Sequence, residues 1–304
     1  MKIEIKRILV PTDFSETSIY AIENASRLAF KLHAKLYIMH VLEESPYKLV
    51  RSEENPREKV VYQKIIMDKL EKLSQAAEEY KIEVSTLLGE KKVVKTIEEA
   101  VKENKIDLII MGTHGAGGMK EFLIGSNAQH IINDSVCPVI TFKKQSENID
   151  MHTIILPLES WSSSLEKLDY LIEIAKAYQS QVHLLGIIES RKKPEMRKVL
   201  VLLDSAEKIL TEAKIPFVRK VITSHDVANE TLIYAKEIKA DLIAVLTEHE
   251  SVLGSLIPGV LARHVANHSE IPVMSIKPSM YHSDHVNIQK GWVHYRKPHS
   301  NINQ

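Results

Sequence analysis

Glycine, serine and asparagine residues cluster in one stretch that could cradle an anion. This stretch begins at Met111, ends at Asn127 and reads MGTHGAGGMKEFLIGSN, with an apolar, strand-like run before it and a helix-like run after it. A strand that ends in glycines and reopens as a helix can bring backbone N–H groups and the positive end of a helix dipole against phosphate oxygens. The candidate contacts are Met111, Gly112, His114, Gly115, Gly125, Ser126 and Asn127.

A second polar strand end lies near the N-terminus, where Pro11, Thr12 and Asp13 follow an apolar run. In doubly wound sheets, ligands bind outside the carboxyl ends of the strands. Asp13 could therefore hydrogen-bond a ribose hydroxyl or face a divalent cation such as Mg or Mn. Taken singly, Asp13 could instead cap the helix that begins near Ser15, and the glycines could be ordinary turn residues. Their joint placement at one sheet edge favours a ligand.

Better-known sites are not supported by the sequence. The chain lacks the Gly-x-x-x-x-Gly-Lys-Ser/Thr pattern of P-loop NTPases and has no Gly-x-Gly-x-x-Gly after its first strand. No Ser-His-Asp or Cys-His arrangement is recognisable. The single cysteine, Cys137, lies in the apolar run VCPVI, where a buried and inert thiol is expected.

The charge balance gives no long-range attraction to nucleic acid or to acidic lipid. The 304 residues include 40 Lys and Arg and 40 Asp and Glu, so the formal net charge is zero. The N-terminus alternates charged and apolar residues, and no window approaches the roughly 18 apolar residues that span a bilayer. We therefore expect a cytoplasmic protein with neither nucleic acid nor membrane as a partner.

The chain is an internal repeat. RILVPTD at residues 7–13 returns as TIILPLE at 153–159, and DLIIM at 107–111 returns as DLIAV at 241–245. From residue 107 to residue 143 the two copies align at one constant offset without a gap, which indicates a duplication. We predict one domain at residues 1–145, a second at 152–278, and a polar, loosely docked or mobile tail at 279–304.

Each copy alternates short apolar runs with segments of helical periodicity. In the first copy, strands are predicted at 7–10, 35–42, 82–88, 106–111 and 138–142, and helices at 15–32, 58–80, 93–103 and 127–133. Strands that alternate with helices of this length pair in parallel through right-handed crossovers. The predicted fold class is α/β, with two tandem Rossmann-like doubly wound domains, each holding a five-stranded parallel sheet flanked by helices.

The pattern Gly112-x2-Gly115-x9-Gly125-Ser126, together with VPTDFS at residues 10–15, resembles the ATP-binding branch of the universal stress protein family. The resemblance covers residues 3–143 and, more weakly, 152–277. It implies ATP as the ligand, with Pro11, Thr12 and Asp13 beside the nucleotide and the backbone around Val41 at the adenine. It further implies that residues 111–115 and 125–127 surround the ribose and phosphates, and that Mg or Mn is shared by Asp13 and the phosphates.

The second half departs from this pattern at the positions that would approach the ligand. Leu246, His249, Val260, Leu261 and Glu159 replace Gly112, Gly115, Ser126, Asn127 and Asp13, in that order. Side chains stand where bare backbone would meet phosphate, so we expect no equivalent ATP site there. The resemblance implies that the second half is instead the fused partner of a pseudo-dimer, with further homodimerisation or protein partners possible.

The expected function is nucleotide-dependent regulation under stress, in which ATP orders the loop from Thr113 to Ile124. Two alternatives stay open. One is a slow ATPase or self-phosphorylating protein, with Ser126 or Thr113 as the acceptor, although no general base is evident. The other is an interaction or scaffold protein that never uses nucleotide and keeps its glycines for turns.

Overall fold

A computed structural model describes residues 3–43, 56–113, 124–143, 150–159, 165, 168–189, 193–246, 260–277 and 293–294. The first half contains, in chain order, β1 (Arg7–Pro11), α1 (Glu16–Leu32), β2 (Lys35–Leu42), α2 (Pro56–Glu78), β3 (Val84–Glu90), α3 (Val93–Glu103), β4 (Leu108–Gly112), α4 (Ser126–Asp134) and β5 (Val139–Phe142).

The second half repeats this order of elements. It contains β6 (Thr153–Glu159), α5 (Leu168–Tyr178), β7 (Gln181–Ile188), α6 (Lys193–Glu212), β8 (Phe217–Thr223), α7 (Val227–Glu237), β9 (Leu242–Leu246), α8 (Val260–His268) and β10 (Val273–Ile276), and the short β11 (Val293–His294) follows. The predicted α/β class with two parallel sheets is confirmed. Within the described part of the chain, no helix is both long and apolar enough to cross a membrane.

The two sheets join edge to edge, which the sequence did not predict. The strand order is β11-β3-β2-β1-β4-β5-β10-β9-β6-β7-β8, so each half keeps the doubly wound 3-2-1-4-5 order. At the junction β5 and β10 run antiparallel, with Ile140 opposite Met274. The Thr141 hydroxyl also donates to the Val273 carbonyl at 3.3 Å. The joined strands form one continuous sheet.

The tail contributes a strand that the absence of periodicity did not predict. Val293 and His294 pair antiparallel with Leu88 and Leu87 at the outer edge of β3. The rest of the predicted tail, 279–292 and 295–304, lies outside the described residues. β11 therefore covers part of one of the two outer edges of the sheet.

Alternation along each strand sends side chains into two cores, one on each face of the sheet. Ile8 and Val10 are buried in the core beneath α1, α2, α5 and α6, whereas Leu9 is buried in the core beneath α3, α4, α7 and α8. Both cores contain residues from both halves. The helix α1 also contacts α5 across the junction, where the Lys31 ammonium lies 4.7 Å from the centroid of the Tyr178 ring.

An aspartate before β4 fixes the start of β1. The Asp107 carboxylate accepts hydrogen bonds from the backbone N–H groups of Lys6 at 3.0 Å and Arg7 at 2.9 Å. Its repeat partner Asp241, just before β9, accepts from the N–H of Thr153, the first residue of β6, at 2.8 Å. β4 begins at Leu108 rather than at the predicted residue 106, and Asp107 just before it also donates its backbone N–H to the Arg7 carbonyl at 2.9 Å.

We expect Asp107→Ala to lower the free energy of unfolding by about 1–3 kcal/mol, because two backbone donors lose their buried acceptor. Urea unfolding followed by circular dichroism measures this loss. Asp134→Ala is the control, since the Asp134 side chain is 55% exposed, and it should change the free energy by less than about 0.5 kcal/mol. Equal stability of the two variants would contradict the assigned role of Asp107.

Candidate functional site

The candidate residues meet at the carboxyl edge of three adjacent strands. β1 lies between β2 and β4, with Leu9 opposite both Tyr37 and Ile109. The structure therefore brings together the chain after Pro11, the end of β2 at Val41 and the end of β4 at Gly112. His114 and Gly115 lie outside the described residues.

Thr12 and Asp13 turn the chain from β1 into α1. Thr12 N–H donates to the Met39 carbonyl at 2.7 Å, and its hydroxyl lies 2.8 Å from the hydroxyl of Ser18. The exposed Asp13 carboxylate accepts hydrogen bonds from Ser15, at 3.1 Å from its N–H and 2.5 Å from its hydroxyl. Ser15 itself is the N-cap of α1, so Asp13 orients the cap rather than forming it.

The backbone of Val41 faces the side of β2 on which β1 ends. In a parallel sheet the N–H and C=O of one residue point to the same neighbour, and alternate residues point to the same side. The Met39 carbonyl receives Thr12 N–H on the β1 side, so Val41, two residues on, presents its backbone to that side as well. β1 stops at Pro11, opposite Met39, which places the Val41 backbone beyond the last paired residue of β1.

A histidine side chain supports this edge, a role that sequence reasoning missed because it assigned only backbone contacts to the end of β2. His40 Nδ1 lies 2.7 Å from the Thr12 carbonyl, which can only accept, so Nδ1 carries the proton. The imidazole also lies against Phe14, with ring centroids 4.6 Å apart. Burial lowers the pKa of His40, while its hydrogen bond to Thr12 and the nearby Asp13 act in the opposite direction.

Gly112 is required by packing against α1. A Cβ atom built there would lie 2.8 Å from the Thr17 methyl carbon and 3.2 Å from the Thr17 carbonyl carbon. A side chain at this position would push α1 away from the end of β4. The described contacts thus explain this glycine by helix packing, next to the predicted ligand position.

The N-terminus of α4 presents backbone donors at the same edge. Gly125 is the N-cap, its N–H donates to the Thr113 carbonyl at 2.8 Å, and as a glycine it supplies no side-chain cap to the helix. The first three helical residues are Ser126, Asn127 and Ala128, of which Ser126 and Asn127 are exposed. N–H groups in a first turn have no partner within their helix and carry the positive end of its dipole. The arrangement suits an anion.

The structure places the two candidate phosphoryl acceptors, Thr113 and Ser126, in different surroundings. The Thr113 side chain is buried, and its hydroxyl donates to the Phe142 carbonyl at 3.2 Å, so it is poorly placed to accept a phosphoryl group. Ser126 is exposed.

Among the described residues, no three His, Cys, Asp or Glu side chains converge as metal ligands, so a cation at Asp13 would need phosphate oxygens to complete its coordination.

Cys137 is buried, as predicted, and burial raises the pKa of its thiol to about 12. A thiol with so high a pKa carries almost no thiolate near neutral pH. This residue is therefore part of the core, where a thiol is a poor nucleophile.

In the second half, a longer strand covers the equivalent edge. β6 continues to Glu159, which pairs with Ile187, whereas β1 ends two residues earlier in the repeat. Ile187 is the counterpart of Val41, so its backbone is covered by strand pairing. Leu261, the counterpart of Asn127, is buried in the core.

Two carboxyl groups also meet at this edge of the second half. Glu159 is only 6% exposed and hydrogen-bonds the side chain of Glu189 at the end of β7. Burial, and then the neighbouring Glu189, raise the pKa of Glu159 to about 8. The pKa of Glu189 is also raised, chiefly by burial and further by Glu195, while its hydrogen bond to Glu159 and the nearby His225 act in the opposite direction. The pair therefore keeps a proton near neutral pH.

We expect the Glu159 pair to make stability fall as pH rises. The folded state holds a proton on Glu159 that the unfolded state releases above the ordinary pKa of 4.5, so stability is lost between about pH 4.5 and about pH 8. Glu159→Gln imitates the neutral form. It should match the wild type near pH 5 and exceed its melting temperature at pH 8 and above.

The exposed Glu237→Gln serves as the control for this comparison and should follow the wild type at every pH. Thermal melts across the pH range test both variants. A Glu159→Gln variant that gains no stability over the wild type between pH 5 and pH 8 would show that Glu159 is ionised in the fold.

Comparison with known proteins identifies the family. The family model described as universal stress protein family matches residues 4–143 and again 151–277. A universal stress protein of Methanocaldococcus jannaschii is 31% identical over 143 residues, which are 46% of this chain and 82% of that protein. Universal stress protein A homolog 1 of Coxiella burnetii is 34% identical over 140 residues, which are 44% of this chain and 94% of that protein.

A solved structure has the same fold over nearly the whole length. The universal stress protein of Archaeoglobus fulgidus superposes with a TM-score of 0.69 at 19% identity, covering 90% of this chain and 99% of that one. At this identity the likeness shows the fold alone. Because the family model matches both halves, the chain belongs to the universal stress protein family as a tandem of two such domains.

Proposed function

We propose that the first half binds ATP at the carboxyl edge of β2, β1 and β4, and that the protein acts in the stress response through nucleotide-dependent regulation. The observation that carries this proposal is the convergence of three features at one edge. They are the exposed Asp13, the β2 backbone at Val41 beyond the last paired residue of β1, and the N-terminus of α4, whose N-cap is a glycine. Family membership supports the role in stress.

Each feature suits a different part of the nucleotide. The Val41 backbone offers a donor and an acceptor to the edge of an adenine base. Asp13 is placed to hydrogen-bond a ribose hydroxyl or, with phosphate oxygens, to hold Mg or Mn. The first turn of α4, with the Ser126 hydroxyl and the Asn127 amide, offers hydrogen-bond donors and a positive dipole to the phosphates.

The second half acts in this proposal as the structural partner of the first. Its β6 covers the edge that would meet a base, and the Glu159–Glu189 pair stands where the chain would approach the nucleotide. A buried carboxyl pair repels phosphate once it ionises. We therefore propose one nucleotide site per chain, and the charge brought by bound ATP changes the surface that protein partners meet at that edge.

Isothermal titration with Mg-ATP tests the proposal. We expect one equivalent per chain, and Asp13→Ala should weaken binding at least about tenfold, because a carboxylate hydrogen bond or metal contact is lost. Glu159→Ala changes the matching position of the second half and should keep wild-type affinity.

Each other result selects a different conclusion. Two equivalents would show that the second half binds nucleotide as well. No binding, together with no gain in melting temperature on addition of Mg-ATP, would favour the nucleotide-independent interaction protein.

A further inference from the structure

The second half touches the backbone that leads into α4. Asn267, in α8, accepts a hydrogen bond at its side-chain oxygen from the Ile124 N–H at 3.0 Å. The Lys143 ammonium, just after β5, donates to the backbone carbonyl of the same Asn267. One residue of the second half therefore contacts two segments of the first, and one of these segments is the entry to the candidate phosphate site.

This contact fixes a short stretch of backbone from two sides. Ile124 N–H is held by Asn267, and the next donor, Gly125 N–H, is held by the Thr113 carbonyl at 2.8 Å. Ile124 is only 9% exposed, so water has little access to replace Asn267 as the acceptor. The direction in which the chain enters α4, and with it the aim of the first-turn N–H groups, depends on both contacts.

The hydrogen bond between Ile124 and Asn267 has no symmetric counterpart in the internal repeat. Asn133, on α4, is the counterpart of Asn267, and the counterpart of Ile124 is Pro258. A proline has no N–H, so Asn133 cannot make the symmetric hydrogen bond. Accordingly, the side-chain oxygen of Asn133 is buried without a hydrogen-bond partner in the described part of the chain. The surviving contact is the one beside the candidate ATP site.

We propose that Asn267 of the second half is a positioning residue for the phosphate-binding end of the first-half site. This inference rests on the proposed ATP site and adds the route by which the second half controls its affinity. Without Asn267, the Ile124–Gly125 backbone loses one of the two N–H hydrogen bonds described above and samples other orientations. ATP must then order this backbone on binding, and the free-energy cost of that ordering weakens the net binding of ATP.

The test compares Asn267→Ala with Asn133→Ala by titration of the full chain with Mg-ATP and with adenosine, which has no phosphates. We expect Asn267→Ala to weaken ATP binding about tenfold, the effect of one lost buried hydrogen bond, and to leave adenosine binding nearly unchanged. Asn133→Ala should match the wild type for both ligands. Asn267→Leu, which is similar in size but has no acceptor for Ile124 N–H, replaces the alanine variant if that variant does not fold, with the same expected result.

Unchanged ATP affinity in Asn267→Ala would overturn the proposal. An equal loss for ATP and adenosine would overturn it too, since that pattern indicates general damage to the domain.

Hydrogen exchange without nucleotide separates this inference from the proposed function. Asn267→Ala should speed exchange in the peptide that covers residues 124–131, whereas Asn133→Ala should not. If the wild type binds no ATP, the proposed function fails and the exchange result alone decides whether Asn267 positions this backbone. Unchanged exchange in that case would overturn the contact as well.

Discussion

The antiparallel pairing of β5 with β10 is the constraint on which the rest of the structure depends. A parallel five-stranded sheet leaves a row of unpaired N–H and C=O groups along each edge. Here the inner edge of each half pairs with the other, so neither is exposed to solvent. The same junction makes each hydrophobic core continuous between the halves, and it brings α8 close enough for Asn267 to reach Ile124. Duplication therefore produced a single folded unit with two non-equivalent ends.

The two halves differ most at the carboxyl edges of their first strands. β1 stops at Pro11 and does not pair with Val41, whereas β6 runs on to Glu159 and pairs with Ile187. Two extra residues of strand pairing are thus enough to remove an edge that a ligand could use. Burial of Glu159 follows from this extension, since the longer strand carries its side chain into the core instead of out to solvent.

Much of the fold was predictable because the periodicity of apolar residues reports which faces are buried. The predicted helices at 15–32 and 93–103 and the strand at 35–42 agree with α1, α3 and β2 to within one residue. The strand boundaries near 82 and 106 were wrong by two residues, because apolar character continues into turns. At β4 the residue before the strand, Asp107, bonds the start of β1 with both its carboxylate and its backbone N–H.

The sequence by itself determined the repeat, the alternation of strands and helices, and the positions at which the second half lost its glycines. These properties are local or follow from comparing one half with the other. Only the tertiary structure decided that the two sheets join through β5 and β10, that His40 supports Thr12, and that Asn267 reaches the entry of α4. Each of these contacts joins residues far apart in the chain, and their geometry depends on strand order and helix placement. No spacing of residue types along the sequence encodes that geometry directly.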